Sequence, residues 1–285
     1  MVIVILLVIL IIKNYLKKNF IIYLIMDDEI YITPNIIVKN KTFYYTNNET
    51  NRLNKINDRN WHKIMCDDGW FKIDWSWRVR LNENSQKNNK NCTYAIRDCG
   101  GEGNCLFECI ATALNYTKAI EPSLNIIIDN NLKQEYYTSN DIRNIASSSI
   151  TIDNFDCIIE SYKLAKLNNE FYGNWDPFNI FKIEDLQNEI MKMGDNFWGD
   201  HIIINLLEEK LNVSFILLNN EEYIIQNIMN NIRSHKYVIL LYYSTNLHFQ
   251  LIGKINKNTL ITIFEIEKLP IEIFNIFNKD CRVYN

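Results

Sequence analysis

Asp98-Cys99-Gly100-Gly101-Glu102-Gly103-Asn104-Cys105-Leu106-Phe107-Glu108-Cys109-Ile110-Ala111-Thr112-Ala113-Leu114-Asn115 is the stretch around which the chain is organised. Three of the eight glycines fall between positions 100 and 103, so a sharp turn with φ > 0 is expected there. Directly after it, Leu106, Cys109, Ile110, Ala113 and Leu114 repeat at i, i+3, i+4, i+7 and i+8. That spacing predicts an amphipathic helix with one face in a core.

Cys105 therefore opens a helix behind a glycine-rich loop. The first helical turn carries unpaired N–H groups and about half a positive charge, which favours thiolate over thiol. A glycine turn also aims backbone N–H groups at one point, as stabilisation of an oxyanion requires. The competing reading is a small buried hydrophobe at a helix start. The glycine loop tips the balance towards a nucleophile.

Glu102-Gly103-Asn104-Cys105-Leu106-Phe107 resembles the Asp-Gly-Asn-Cys-Leu-Phe signature of the OTU (ovarian tumour) cysteine proteases, which are deubiquitinating enzymes. Glu102 departs from it, standing where the family usually has Asp. Such an enzyme needs a histidine base, and there are only four histidines. His62 and His235 lie in polar surroundings, and His201 begins a helix whose dipole disfavours imidazolium. His248 sits in Leu247-His248-Phe249-Gln250-Leu251-Ile252, an alternating strand pattern. On its own it reads as a satisfied core residue. The resemblance reverses that, because OTU enzymes carry their base near the C-terminus in a similar His-aromatic setting. Trp198-Gly199 and the following helix and strand also resemble the family's middle, so the likeness runs from about Ile96 to Gly253.

The resemblance implies a papain-like α+β fold in which Cys105 attacks an isopeptide carbonyl and His248 moves the proton. Backbone N–H groups from Glu102 to Cys105 would hold the oxyanion. Gly103, Asn104, Trp198 and Phe249 are expected to bind a narrow Gly-Gly tail, and acidic groups such as Glu108, Asp195 or Asp200 to meet its arginines. Asn246 and Gln250 rank nearly level as the group that orients His248, with Asn246 slightly ahead. Glu102, beside the nucleophile, is a further candidate and more naturally shapes the loop. The partner is ubiquitin or a ubiquitin-like conjugate, and no metal or cofactor is required. Two other readings stay open: a catalytically inactive ubiquitin-binding module of the same fold, and a papain-like peptidase acting elsewhere.

Composition bounds these readings. A chain of 285 residues, 47% of them hydrophobic, is long enough for one large domain or for one domain plus an extension. A net charge of −4 without a long basic run argues against a nucleic-acid surface. Seven irregularly spaced cysteines point to a reducing, cytoplasmic compartment rather than a disulfide scaffold. Cys92, Cys99, Cys105 and Cys109 lack C-x₂-C spacing and a nearby histidine, which disfavours zinc.

The coarse division is an apolar segment at 1–25, a Trp-rich extension at 27–90, a catalytic domain at 91–268 and a tail at 269–285. Positions 36–45 have strand character. Trp61, Trp70, Trp75 and Trp77 suit a small core or a surface docked on the main domain. Residues 82–91 read as a linker. Helices are expected over 140–150, 155–167, 183–193 and 202–211, the last capped by Asp200. Strands are expected over 213–218, 223–228, 237–243, 247–252 and 260–266, with a hairpin turn at 244–246. Helices first and strands later give an α+β class with a mostly antiparallel sheet.

Eleven apolar residues at 2–12 span only about 16 Å as a helix, short of a bilayer's hydrocarbon core of about 30 Å. A weak anchor, a signal-like segment, and translated upstream sequence ahead of Met26 are the three readings; the last two are favoured over a spanning helix. Deleting residues 1–25 is expected to leave hydrolysis intact. Lost turnover in a truncated protein with an unchanged circular dichroism spectrum would refute that.

Overall fold

A computed structural model of the chain describes residues 29–46, 52–85, 93–124, 126–127, 132–227, 235–244 and 248–281. The apolar segment within 1–25, Cys92 and Asn246 lie outside them. In chain order the elements are β1 (Glu29–Tyr31), β2 (Ile36–Lys39), β3 (Thr42–Thr46), β4 (Leu53–Lys55), α1 (Trp61–Ile64), β5 (Trp70–Lys72), α2 (Trp75–Glu83), β6 (Tyr94–Arg97) and α3 (Cys105–Ile120). There follow α4 (Ser139–Ser148), α5 (Phe155–Leu167), α6 (Ile183–Met191), α7 (His201–Leu211), β7 (Val213–Asn219), β8 (Ile225–Asn227), β9 (Tyr237–Ser244), β10 (His248–Asn256), β11 (Thr259–Ile261), β12 (Ile263–Glu265) and α8 (Ile271–Asp280).

The main sheet runs β5-β6-β10-β9-β7-β8, with β11 on β10 and β12 on β9. Its only parallel pair among the described residues is β7 with β9. The class is α+β with a mostly antiparallel sheet, as expected, although β5 and β6 of that sheet precede α3 instead of following the helices. Strand β10 lies in the interior and separates two cores. Phe249 and Leu251 face the core that holds α3. Ile252 faces a second core with Val238, Leu240, Trp77, Leu81, Ile273 and Ile276. Period-two alternation along β10 thus sorts its side chains between the helices on either face.

Helix α3 differs from the amphipathic expectation. Thirteen of its 16 residues are buried, including Asn115 and Thr117, so it is a central helix rather than a surface one. The polar residues are satisfied in place. Asn115 Nδ2 donates to Tyr137 O and its Oδ1 accepts from Tyr137 N–H, both at 2.8 Å.

Three stretches depart from their sequence patterns. Positions 36–45 form a hairpin rather than one strand, because Asn40 and Lys41 turn at φ 50° and 59°. The 260–266 run breaks at buried Thr262, whose hydroxyl donates to Ala113 O at 3.0 Å. The Trp-rich stretch contributes β5 to the main sheet. Trp70 Nε1 donates to Tyr116 Oη of α3 at 3.1 Å, and Trp77 Nε1 to Asn219 O at 3.1 Å. Trp61, Trp70 and Trp77 are buried and Trp75 is exposed. The small sheet β1-β2-β3-β4 joins the same core, with Phe43 N–H donating to Asn258 O at 3.0 Å. Among the described residues no helix is long and apolar enough to cross a membrane.

Helix α7 passes to β7 through Asn212 in the left-handed region, φ 51°. Fully buried Glu208 secures that junction, its Oε1 accepting from Phe215 N–H at 2.6 Å while Oε2 has no partner. Burial pushes its carboxyl from an ordinary 4.5 to about 7. The folded state therefore holds this proton more tightly than the unfolded chain does. The stability from this group is complete below pH 4.5 and is lost as pH rises towards 7. Glu208→Gln should match the wild type near pH 4 and exceed it at pH 8 by an amount on the order of 3 kcal/mol. Urea denaturation at the two pH values checks this; a difference that does not change with pH would show that Glu208 is ionised in the fold.

Candidate active site

Cys105 begins α3 and is almost sealed, at 2% exposure. The N–H groups of Phe249, Leu106 and Cys105 itself converge on its sulfur. The expected thiolate is not the resting state. Burial pushes the Cys105 thiol up, and the carboxylate of Asp98 adds to that, against the pull of the three N–H groups. Helix-terminus stabilisation is real here but smaller than the cost of desolvating a sulfur anion.

One turn further on, the Cys109 thiol donates to Phe249 O at 3.5 Å. The two cysteines of α3, spaced i and i+4, thus engage the N–H and the C=O of a single β10 residue, Phe249. His248 is the residue immediately before that grip. Its Nε2 stands 3.5 Å from Asp98 Oδ1, with both side chains partly exposed. Asp98 follows β6, which pairs antiparallel with β10 through Arg97 and Leu251. Extending that register puts Asp98 opposite Gln250, on the face it shares with His248. The sequence reading missed Asp98, since only the β6–β10 pairing brings it to the histidine.

Gln250 is half-buried and lies across from Tyr242 on β9. Asn246 falls outside the described residues. Glu102 is exposed with φ 54°, a left-handed backbone that a non-glycine residue adopts at some cost, so it shapes the turn. Phe249 is wholly buried, its ring 5.1 Å from that of Tyr243, and offers no wall to a substrate channel. Its aromatic character serves the core. Trp198 is half-buried beside Gly103 and 6.3 Å from the Tyr172 ring. Asp200 is consumed in capping α7, accepting from Ile202 and Ile203 N–H at 2.9 and 3.0 Å, so it is not a site for substrate arginines. Asp195 is exposed and Glu108 half-buried.

Two glycines let the surrounding segments close on Cys105. Gly103 has φ 76°, and a Cβ there would lie 2.3 Å from Gly194 O. A Cβ on Gly199 would meet Leu106 Cδ2 at 2.6 Å, so the residue after Trp198 presses directly on the first turn of α3. Asn104 N–H is committed to Gly101 O at 3.2 Å. It is therefore not among the oxyanion donors expected from Glu102 to Cys105. Among the described residues no group of three His, Cys, Asp or Glu side chains is placed to hold a metal ion.

No protein-family model and no curated protein matches the chain. Solved structures similar to it are OTU domains. An OTU domain in complex with ubiquitin is 14% identical over 66% of this chain and 84% of its own, with a TM-score of 0.40. An OTU deubiquitinase from Wolbachia pipientis wMel is 13% identical over 57% and 89%, at 0.37. The viral OTU domain protease from Dera Ghazi Khan virus is 16% identical over 59% and 81%, at 0.33.

The turn before Cys105 yields a contrast between adjacent residues. Gly103→Ala forces a Cβ into a backbone oxygen at positive φ and should cost more than about 2 kcal/mol. Glu102→Gly relieves a left-handed residue while loosening the unfolded chain, so its net effect should be within about 1 kcal/mol of zero. Denaturation midpoints of the two variants measure this. Equal losses would mean that the turn does not have the backbone described.

Proposed function

We propose that this chain is an OTU-type cysteine isopeptidase that removes ubiquitin or a ubiquitin-like modifier from conjugates. The observation that carries the reading is the Cys105 thiol held on the Phe249 backbone, one residue from His248, behind a Gly-Asn-Cys-Leu-Phe turn.

In this reading Asp98 accepts from Nε2–H of His248, which makes Nδ1 the base nitrogen. Nδ1 takes the thiol proton as Sγ attacks the isopeptide carbonyl. The N–H groups of Cys105 and Leu106 stabilise the oxyanion. The C–N bond then breaks as His248 returns the proton to the departing lysine amine, leaving a thioester. Water, deprotonated by His248, attacks the thioester carbonyl and restores the thiol. Gly103 and Trp198 flank the approach of the Gly-Gly tail. Asp98 takes the orienting role for which Asn246 and Gln250 are the other candidates. The near-complete burial of Cys105 favours one alternative, an inactive ubiquitin-binding module.

A ubiquitin probe with a C-terminal electrophile separates the two. The wild type should be labelled on Cys105 and Cys105→Ala should not. His248→Ala should lose roughly 10²–10⁴-fold in chain cleavage. Asp98→Asn should lose less, roughly 10-fold, because its carboxylate is half in solvent and screened. An unlabelled wild type that still binds ubiquitin would establish the inactive module. Full turnover in Asp98→Asn with a loss in Gln250→Ala would move the orienting role to Gln250.

A further inference from the structure

Arg143, near the middle of α4, is wholly buried. Its Nη1 donates to Ile190 O at 2.7 Å. Its Nη2 reaches Gly103 O at 3.2 Å, Asn104 Oδ1 at 2.8 Å and Phe197 O at 3.0 Å. The guanidinium carbon lies 4.0 Å from the centre of the Phe107 ring. One side chain therefore ties the turn before Cys105 to the segment before Trp198 and to the end of α6.

Every one of these acceptors is neutral. Among the described ion pairs none includes Arg143, although a buried charge is ordinarily paired with an opposite one. Desolvation draws its pKa down to about 10, so the guanidinium remains charged at neutral pH. The ionisable groups that act on it are the Cys105 thiol and the Glu108 carboxyl, both in the first turn of α3. Asp98, beyond β6, acts on Cys105 from the other side. If mechanical tethering were all that the turn required, an uncharged donor would serve at a smaller desolvation cost.

We propose that Arg143 is a positioning residue with an electrostatic role: an internal cation held by neutral acceptors alone, which fixes the Gly103-Asn104 turn and stabilises negative charge on Cys105 and on the oxyanion formed there. This rests on Cys105 being the nucleophile of the proposed isopeptidase. The anion created during the reaction then forms in the field of a cation that no ion pair occupies, in a region where water screens it little.

The test reads the pH profile of Cys105 alkylation by iodoacetamide, followed by peptide mass spectrometry, alongside kcat and KM on a ubiquitin substrate. Asn104→Asp keeps the volume and the hydrogen bond to Arg143 but neutralises it. Arg143→Gln removes the charge, and Arg143→Lys keeps the charge while losing the fork. Asn104→Asp and Arg143→Gln should move the profile up by at least about one pH unit, cutting alkylation at pH 7 roughly tenfold. Arg143→Lys should leave the profile nearly in place and lower kcat through the loosened turn. A folded Asn104→Asp protein with the wild-type profile overturns the proposal, and so does an equal shift in all three variants. Should Arg143→Gln fail to fold, the other two decide the matter. A wild type that does not react with the ubiquitin probe defeats the proposed function separately, because the alkylation profile requires no turnover.

Discussion

The crossing of α3 over β10 at Phe249 is the contact on which the rest of the structure depends. Cys105 and Cys109 hold the backbone N–H and C=O of Phe249. Small thiols at both positions let the helix axis come close to the strand, and larger side chains would push it away. Because Phe249 is fixed there, its ring goes into the α3 core and His248 is set at the start of the strand, beside Asp98. The central sheet, with β6 on one side of β10 and β9 on the other, keeps that strand from sliding. A slip of one residue would exchange Phe249 for His248 on the face packed against α3 and place an imidazole in the core.

The second constraint is the closure of three segments around the Gly103 turn. Gly103 abuts Gly194 O, Gly199 abuts Leu106, and Arg143 bonds to both sides of the gap. These contacts reinforce one another. The missing Cβ atoms allow the approach, and the guanidinium satisfies the carbonyl oxygens that the approach buries. The aromatic group of Tyr162, Phe171, Trp175 and Phe197 packs behind the same segment, so the wall carrying Trp198 has a rigid backing.

Local signals made much of this legible. The glycine turn followed by the apolar stripe gave α3 and the position of Cys105, and alternation gave β10 and the face that Phe249 shares with Leu251. Asp200 was readable as a cap because capping involves only the next three residues. What escaped depends on register or on distant neighbours. Asp98 meets His248 only through the β6–β10 pairing. An arginine in Ser139–Ser148 has the pattern of a surface residue, and nothing local says that four carbonyl or amide oxygens await it. The tryptophans at 61–77 announced a core, but not that β5 would add a strand to the main sheet beside β6.

The resting electrostatics explain why burial of the nucleophile and its proposed activity are compatible. With Cys105 nearly sealed, a neutral thiol avoids a desolvated sulfur anion. In the proposed mechanism, proton transfer from Cys105 to His248 creates two charges at once. The imidazolium forms next to the Asp98 carboxylate, and the sulfur anion forms at a helix N-terminus within the field of Arg143. Each new charge thus meets a fixed partner of opposite sign that is already in place, and neither partner has to reorganise. The arrangement disfavours a free thiolate while no substrate is bound and lowers the cost of charge separation when an oxyanion is to be stabilised. In the proposed mechanism, Asp98 and Arg143 therefore act on opposite ends of a single proton transfer, and neutralising either should raise the cost of the same step.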